Sequence, residues 1–240
     1  MVEVNSVPLV AYDLYRFYHA GDDETLALRG VSLAVAAGET VVISGPSGSG
    51  KSTLLSCLAG LDDPDGGSVR VNGKQMSRRP ERDRARLRNQ FLGVIYQQWN
   101  LLSHLTVAQN VAVVRALAQR QPREDRQERG RLGRLDGLVP VRELLDSLAI
   151  GHRSDAYPAT LSGGEAARAA LAVALAAQPV ALIADEPTGE LDRDTEATVL
   201  DVLTDQAHRG LAVVVASHSR SVEGRADRVL RLHDGSVVTP

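Results

Sequence analysis

Eight residues constrain this chain more than any others: Gly45-Pro46-Ser47-Gly48-Ser49-Gly50-Lys51-Ser52. They follow a short β-branched run, Val41 to Ser44, and open a helical pattern from Ser52 to Leu58. Glycines at this spacing let consecutive backbone N–H groups turn inward as an anion cradle. The helix that starts there adds its partial positive charge. Lys51 is placed to reach the β- and γ-phosphates of a nucleotide, and the Ser52 hydroxyl to ligate Mg²⁺. The stretch fits the P-loop pattern in full, in the strand-to-helix context that gives the pattern meaning. Gly45, Pro46, Ser47, Gly48, Ser49, Gly50, Lys51, Ser52 and Thr53 are therefore the candidate contacts to ATP.

A second anchor lies at Val180 to Pro187, where the run VALIA ends in Asp185-Glu186. A buried strand ending in two carboxylates places both at the C-terminal edge of a sheet, where open α/β folds bind ligands. Asp185 is then the candidate that holds Mg²⁺ through its water shell. Glu186 is the candidate that polarises a water for attack on the γ-phosphorus.

The fold follows from the same runs. Val41 to Ser44, Leu92 to Tyr96, Val180 to Ala184 and Ala212 to Ala216 are almost continuously apolar, as strands covered on both faces are. Helical patterns between them imply crossovers and a mainly parallel sheet. Val69 to Val71 before Asn72-Gly73, and Val229 to Leu232 before Asp234-Gly235 and Val237-Val238, carry hairpin signals. Both are expected in an antiparallel subsheet beside the parallel core. Residues 98–158 contain no convincing strand; Ala108 to Gln119 and Val141 to Ala149 are expected as helices. Arg120 to Pro140, rich in Arg, Glu, Asp and Gly, is expected as an exposed, partly flexible linker. The expected class is α/β: a RecA-like P-loop core with a mainly parallel sheet, an antiparallel β-subdomain and an inserted α-helical subdomain. The boundaries are 1–97 for the first part of the core, 98–164 for the helical subdomain and 165–240 for the rest.

Charge and cysteine content narrow the function. The net charge of −3 argues against a nucleic-acid binder. The Arg-rich stretches Arg78 to Arg88 and Arg120 to Arg134 interleave Asp and Glu, as a solvated helix face does. Cys57 is the only cysteine, so no intrachain disulfide forms and a reducing compartment fits. The longest apolar stretch, Leu171 to Ala184, is interrupted by Gln178 and Pro179 and falls short of the roughly 20 residues of a membrane helix. No signal peptide is visible. Any action at a membrane requires docking onto another chain.

Leu161-Ser162-Gly163-Gly164-Glu165 is the diagnostic piece. With the two anchors above, it makes the chain resemble the ATP-binding-cassette ATPases over essentially its whole length. The resemblance implies a signature loop in which Ser162, Gly163 and Gly164 form a second anion site ahead of a helix from Ala166 to Ala177. It makes Tyr18 the aromatic that stacks on adenine, with Tyr15 as rival. It also implies that Gln97 senses Mg²⁺ and links to the helical lobe, that Asp192 belongs to the D-loop, and that His218 is the switch residue at the γ-phosphate. Asn100-Leu101-Leu102, Leu105-Thr106-Val107 and Ala184 to Gly189 are similar to the lipoprotein-release, macrolide-export and cell-division subgroup. Departures are Glu190 for the usual Asn, Ser219 for Asp, Val173 for Arg, and a longer linker.

The resemblance further implies a head-to-tail pair, in which the signature of one cassette covers ATP held by the other. The partners are an integral-membrane permease and a second copy or related cassette, at the cytoplasmic face of the membrane; no nucleic acid is expected. Three functions share these motifs: an energising subunit for export or extraction, a non-transporting regulator of a membrane partner, and a soluble ATPase acting on DNA or ribosomes. The first is the main expectation. The third expects large insertions or a second cassette, which this chain lacks.

Overall fold

The computed structural model describes residues 7–20, 23–96, 100–119, 138–189 and 191–238. Two sheets share one chain. Strands β1 (Leu9–Ala20), β2 (Asp23–Val35), β4 (Gly66–Val71) and β5 (Lys74–Gln75) form an antiparallel sheet in the order β2-β1-β4-β5. Strands β3 (Thr40–Ser44), β6 (Leu92–Ile95), β7 (Ala181–Asp185), β8 (Ala212–Ala216), β9 (Arg228–His233) and β10 (Ser236–Val238) form the other, in the order β10-β9-β3-β8-β7-β6. All its pairings are parallel except that of β10 with β9.

The near-continuous hydrophobicity of the central strands has a direct cause. Val41 and Ile43 face one apolar layer, with Leu54 and Leu58 of α1 (Lys51–Leu58) and Leu14, Leu28 and Val31 of the antiparallel sheet. Val42 faces the opposite layer. Ile183 likewise faces the first layer, and Leu182 and Ala184 the second. The second layer is built on α5 (Gly163–Leu175) and α6 (Arg193–His208), with α3 (Val107–Gln119) and α4 (Val141–Ser147) contributing Val107, Val111 and Leu145. Helix α2 (Glu81–Phe91) leads into β6, and the short α7 (Arg220–Glu223) follows β8.

Three expectations are corrected. The hairpin β9–β10 belongs to the core sheet, not to the antiparallel subsheet, because β9 pairs in parallel with β3 through Val42 and Val229. The strand expected to end at Tyr96 ends at Ile95. The helix expected from Ala166 begins at Gly163, because Ser162 caps it. The linker lies outside the described residues from 120 to 137. Among the described residues no helix is long and apolar enough to cross a membrane.

Asn110 shapes the loop that leads into α3. It is buried, and its amide group donates to the carbonyls of Leu102, Leu105 and Thr106 while its Oδ1 accepts from the Leu102 N–H at 2.7 Å. One side chain thus saturates a turn that has no sheet partner.

Candidate functional site

The C-terminal ends of three adjacent strands, β3, β8 and β7, meet at one cleft. Tyr18, Gly45, Pro46, Ser47, Gly48, Gly50, Lys51, Ser52, Thr53, Asp185, Glu186 and His218 line it. Its volume of about 860 Å³ is in the range of cofactor and drug-sized sites. Of the other candidates, Ser49 is a buried member of the loop, and its Oγ has no hydrogen-bond partner among the described residues. Ser162, Gly163, Gly164 and Asp192 do not line the cleft. Gln97 lies outside the described residues.

The loop is preformed. Gly50 caps α1 at φ 101°, and a Cβ there would stand 2.5 Å from the Ala27 carbonyl oxygen. Only glycine fits both demands. The loop is tied down from outside: the Gly235 N–H donates to the Ser49 carbonyl, and the Arg29 N–H to that of Gly235. These ties bring Thr25, Leu26, Ala27, Arg29, Asp234 and Gly235 to the cleft wall. Their positions arise from contacts between distant segments, so neither composition nor spacing marks them. The Lys51 ammonium donates to the carbonyls of Gly45 at 2.8 Å and Pro46 at 3.0 Å.

Ser52 and Asp185 fit a Mg²⁺ site. Burial pushes the Asp185 pKa up, opposed by a hydrogen bond with Ser52. Two hard oxygens stand side by side, and Mg²⁺ completes its octahedron with water and phosphate oxygens rather than with an all-protein cage. Glu186 sits beyond them with φ 47° in the left-handed region, held by its N–H to the Ala216 carbonyl at 3.0 Å. Its Oε1 meets His218 Nδ1 at 2.8 Å and its Oε2 accepts from the Ser217 hydroxyl at 3.2 Å.

Tyr18 stands at the opposite wall. The Arg16 guanidinium lies 4.8 Å from the centre of its ring, and its hydroxyl donates to Asp62 at 2.8 Å. Burial and then Asp62 push the Tyr18 pKa up. Arg16 is itself clamped between Asp62 and Asp65. The ring is thereby fixed while remaining 40 % exposed. Tyr15 packs instead against Gly66 and Gly30.

The residues expected to form a second anion site lie outside this cleft. Ser162 caps α5: its hydroxyl accepts from the Glu165 N–H at 3.3 Å, and the Glu165 carboxylate accepts from the Ser162 N–H at 2.9 Å. This reciprocal box lowers the Glu165 pKa, the Ser162 N–H contributing most. A Cβ on Gly164 would lie 2.1 Å from Thr195 Cγ2, so the helix start can pack on α6 only through glycine. Asp192 caps α6, accepting from the N–H groups of Asp194 and Thr195 and from the Thr195 hydroxyl.

A family model described as ABC transporter matches residues 28–189. The chain belongs to the ABC transporter family. It is an ATP-binding cassette and an ATPase. It is 39 % identical to the lipoprotein-releasing system ATP-binding protein LolD 1 of Rhodopirellula baltica, over 96 % of each chain. It is also 39 % identical to the macrolide export ATP-binding/permease protein MacB of Escherichia coli strain K12, over 94 % of this chain but only 33 % of that protein. The bacterial ABC transporter cassette MJ0796, solved as a dimer, superposes with a TM-score of 0.82 at 31 % identity over 96 % of this chain and 97 % of that one. The same cassette has been solved in a post-hydrolysis state with ADP and Pi, with the same similarity.

Proposed function

We propose that this cassette energises a membrane permease for export or extraction, from the cytoplasmic face. The observation that carries the reading is the convergence of Lys51, Ser52, Asp185, Glu186 and His218 on one cleft. The first three supply a fixed ammonium, a hydroxyl and a carboxylate where a triphosphate and its metal would lie. Mg²⁺, held by Ser52 and Asp185 with Gln97 as a further oxygen donor, would neutralise charge on the phosphates. Glu186 accepts the proton of the attacking water, and His218 contacts the γ-phosphate. Tyr18 stacks on the base. The backbone N–H groups of the P-loop as far as Thr53, save at Pro46, which has none, hold the phosphate oxygens.

Ser162, Gly163, Gly164 and Asp192 serve the nucleotide of a second copy or a related cassette. The dimeric MJ0796 cassette supports this, as does the position of these residues outside the chain's own cleft. The helical lobe, residues 98–164, moves relative to core parts 1–97 and 165–240 when ATP joins two copies, and this motion is what a permease feels. The names of LolD and MacB favour lipoprotein-like or hydrophobic cargo. The test is affinity purification of the chain from its own membranes with ATPase assay of the product. A polytopic membrane protein that raises Lys51-dependent turnover is the expected outcome. A soluble nucleoprotein in its place rejects the proposal.

A further inference from the structure

We infer that Ser217 is a positioning residue for Glu186, holding one carboxylate oxygen in place while the other does its work. The inference rests on the proposed role of Glu186 as the base.

Ser217 directly follows β8 and is 1 % exposed. Its N–H donates to the Ile43 carbonyl at 3.1 Å, which ties it to the strand that carries the P-loop. Its oxygen accepts from the Ser219 N–H at 3.1 Å and lies 3.2 Å from Glu186 Oε2. An ionised carboxylate only accepts hydrogen bonds, so the shared proton is the serine's. With one lone pair taken by Ser219, the hydroxyl rotor points at Glu186.

The two partners of Glu186 differ in kind. The His218 side chain, on Oε1, is 74 % exposed. A nucleotide that engages this imidazole competes with Glu186 for it. Ser217 is buried and held at two backbone points, so it stays. Glu186 needs such a hold, because a non-glycine residue at φ 47° occupies a sparsely populated conformation that its surroundings must enforce.

The brace continues outward. The Ser219 hydroxyl donates to Glu196 Oε1 at 3.0 Å, and the buried Thr188 donates to the same oxygen at 3.3 Å. Helix α6 therefore steadies the residue that fixes the Ser217 rotor. An Asp at position 219 would set a second carboxylate against Glu196. The neutral serine at this place is what lets the chain of hydrogen bonds run unbroken.

The test is steady-state ATPase kinetics on the full chain. Ser217→Ala is expected to lower kcat about tenfold, the scale of a hydrogen bond to a charged group, with KM for ATP changed less than about twofold. Ser217→Thr, which keeps the hydroxyl, is expected to restore kcat. Ser217→Cys, close in size with a weaker donor, is expected to lose kcat as alanine does and serves if the alanine chain does not fold. Because the hydroxyl acts through the carboxylate, Ser217→Ala added to Glu186→Gln should cost nothing further. Unchanged kcat in Ser217→Ala and Ser217→Cys beside an inactive Glu186→Gln overturns the inference and leaves the base in place. Multiplicative losses in the double variant overturn it as well. An active Glu186→Gln overturns the role of Glu186 itself.

Discussion

The Lys51 ammonium lies 2.8 Å from the carbonyl oxygen of Gly45, six residues earlier in the same loop. The loop thus supplies acceptors for its own cation, and the charge is already aimed across the cradle. Lys51→Ala removes it and is expected to weaken MgATP binding and cut turnover by about a hundredfold or more. Circular dichroism should stay native. Unchanged ATPase activity would reject the phosphate site.

Tyr18 is expected to bind bases through its ring, and stacking of about 1–3 kcal/mol reads no base edge. ATP and GTP should both serve as substrates. Tyr18→Ala should raise KM more than it lowers kcat. Tyr18→Phe keeps the ring and its stacking on Arg16 and loses only the hydroxyl's hydrogen bonds, to Asp62 and to the side chains of Thr53 and Arg16, so its KM should stay near wild type. Equal damage from both substitutions would mean that the hydroxyl matters, not the stack.

Asp185 sets stability against function. Burial raises its pKa in the folded chain. A carboxylate whose folded pKa lies above its unfolded value favours the fold at low pH, and that contribution disappears as pH rises through the folded pKa. At neutral pH the charge is a liability without a cation beside it. Asp185→Asn should therefore raise the melting temperature of the nucleotide-free protein at neutral pH and abolish turnover. The gain should shrink on acidification. Thermal melts of both proteins across the acid range check this.

Asn110→Ala removes all the side-chain hydrogen bonds that hold the loop from Leu102 to Thr106, including the one that pairs the Leu102 N–H. The expected loss is about 2–3 kcal/mol, read as a lower denaturant midpoint. Nucleotide affinity should change little, since Asn110 is remote from the cleft lining.

Glu186→Gln keeps the side-chain size and removes the base, so turnover should fall roughly 10²–10⁴-fold. With MgATP it should form a dimer, by light scattering after size exclusion, that MgADP does not support. Adding Ser162→Arg should return it to monomers without loss of binding at its own P-loop. A dimer that survives Ser162→Arg contradicts the composite site.

Much of the core was legible because burial on both faces leaves an unmistakable trace. Val41 to Ile43 and Leu182 to Ala184 are apolar at every position since each neighbour faces a different layer. The misplaced hairpin shows the converse. β9 alternates exposed and buried residues, which usually means an antiparallel sheet with one wet face. Here it means one strand from the edge of a parallel sheet, and Val229 finds Val42 far back in the chain. β1 and β2 left no clear trace, because bulges interrupt their alternation and Asp13 at φ 51° breaks the run. In the cleft, motif residues were legible through local spacing. Arg29 and Gly235 were not, because they reach it through a tertiary backbone bond.

The reciprocal cap at Ser162 spends a lone pair of the hydroxyl on the Glu165 N–H. What it leaves over is a proton and a second lone pair. With the N–H groups of Gly163 and Gly164 at the start of the helix beside it, the tip of α5 offers its surroundings mainly protons. Two such tips brought toward two P-loops would set donors against donors, and the faces would hold apart. An anion between them reverses the sign of the contact. On the proposed composite site, separation is the expected condition without nucleotide, and assembly becomes a report that phosphate is present.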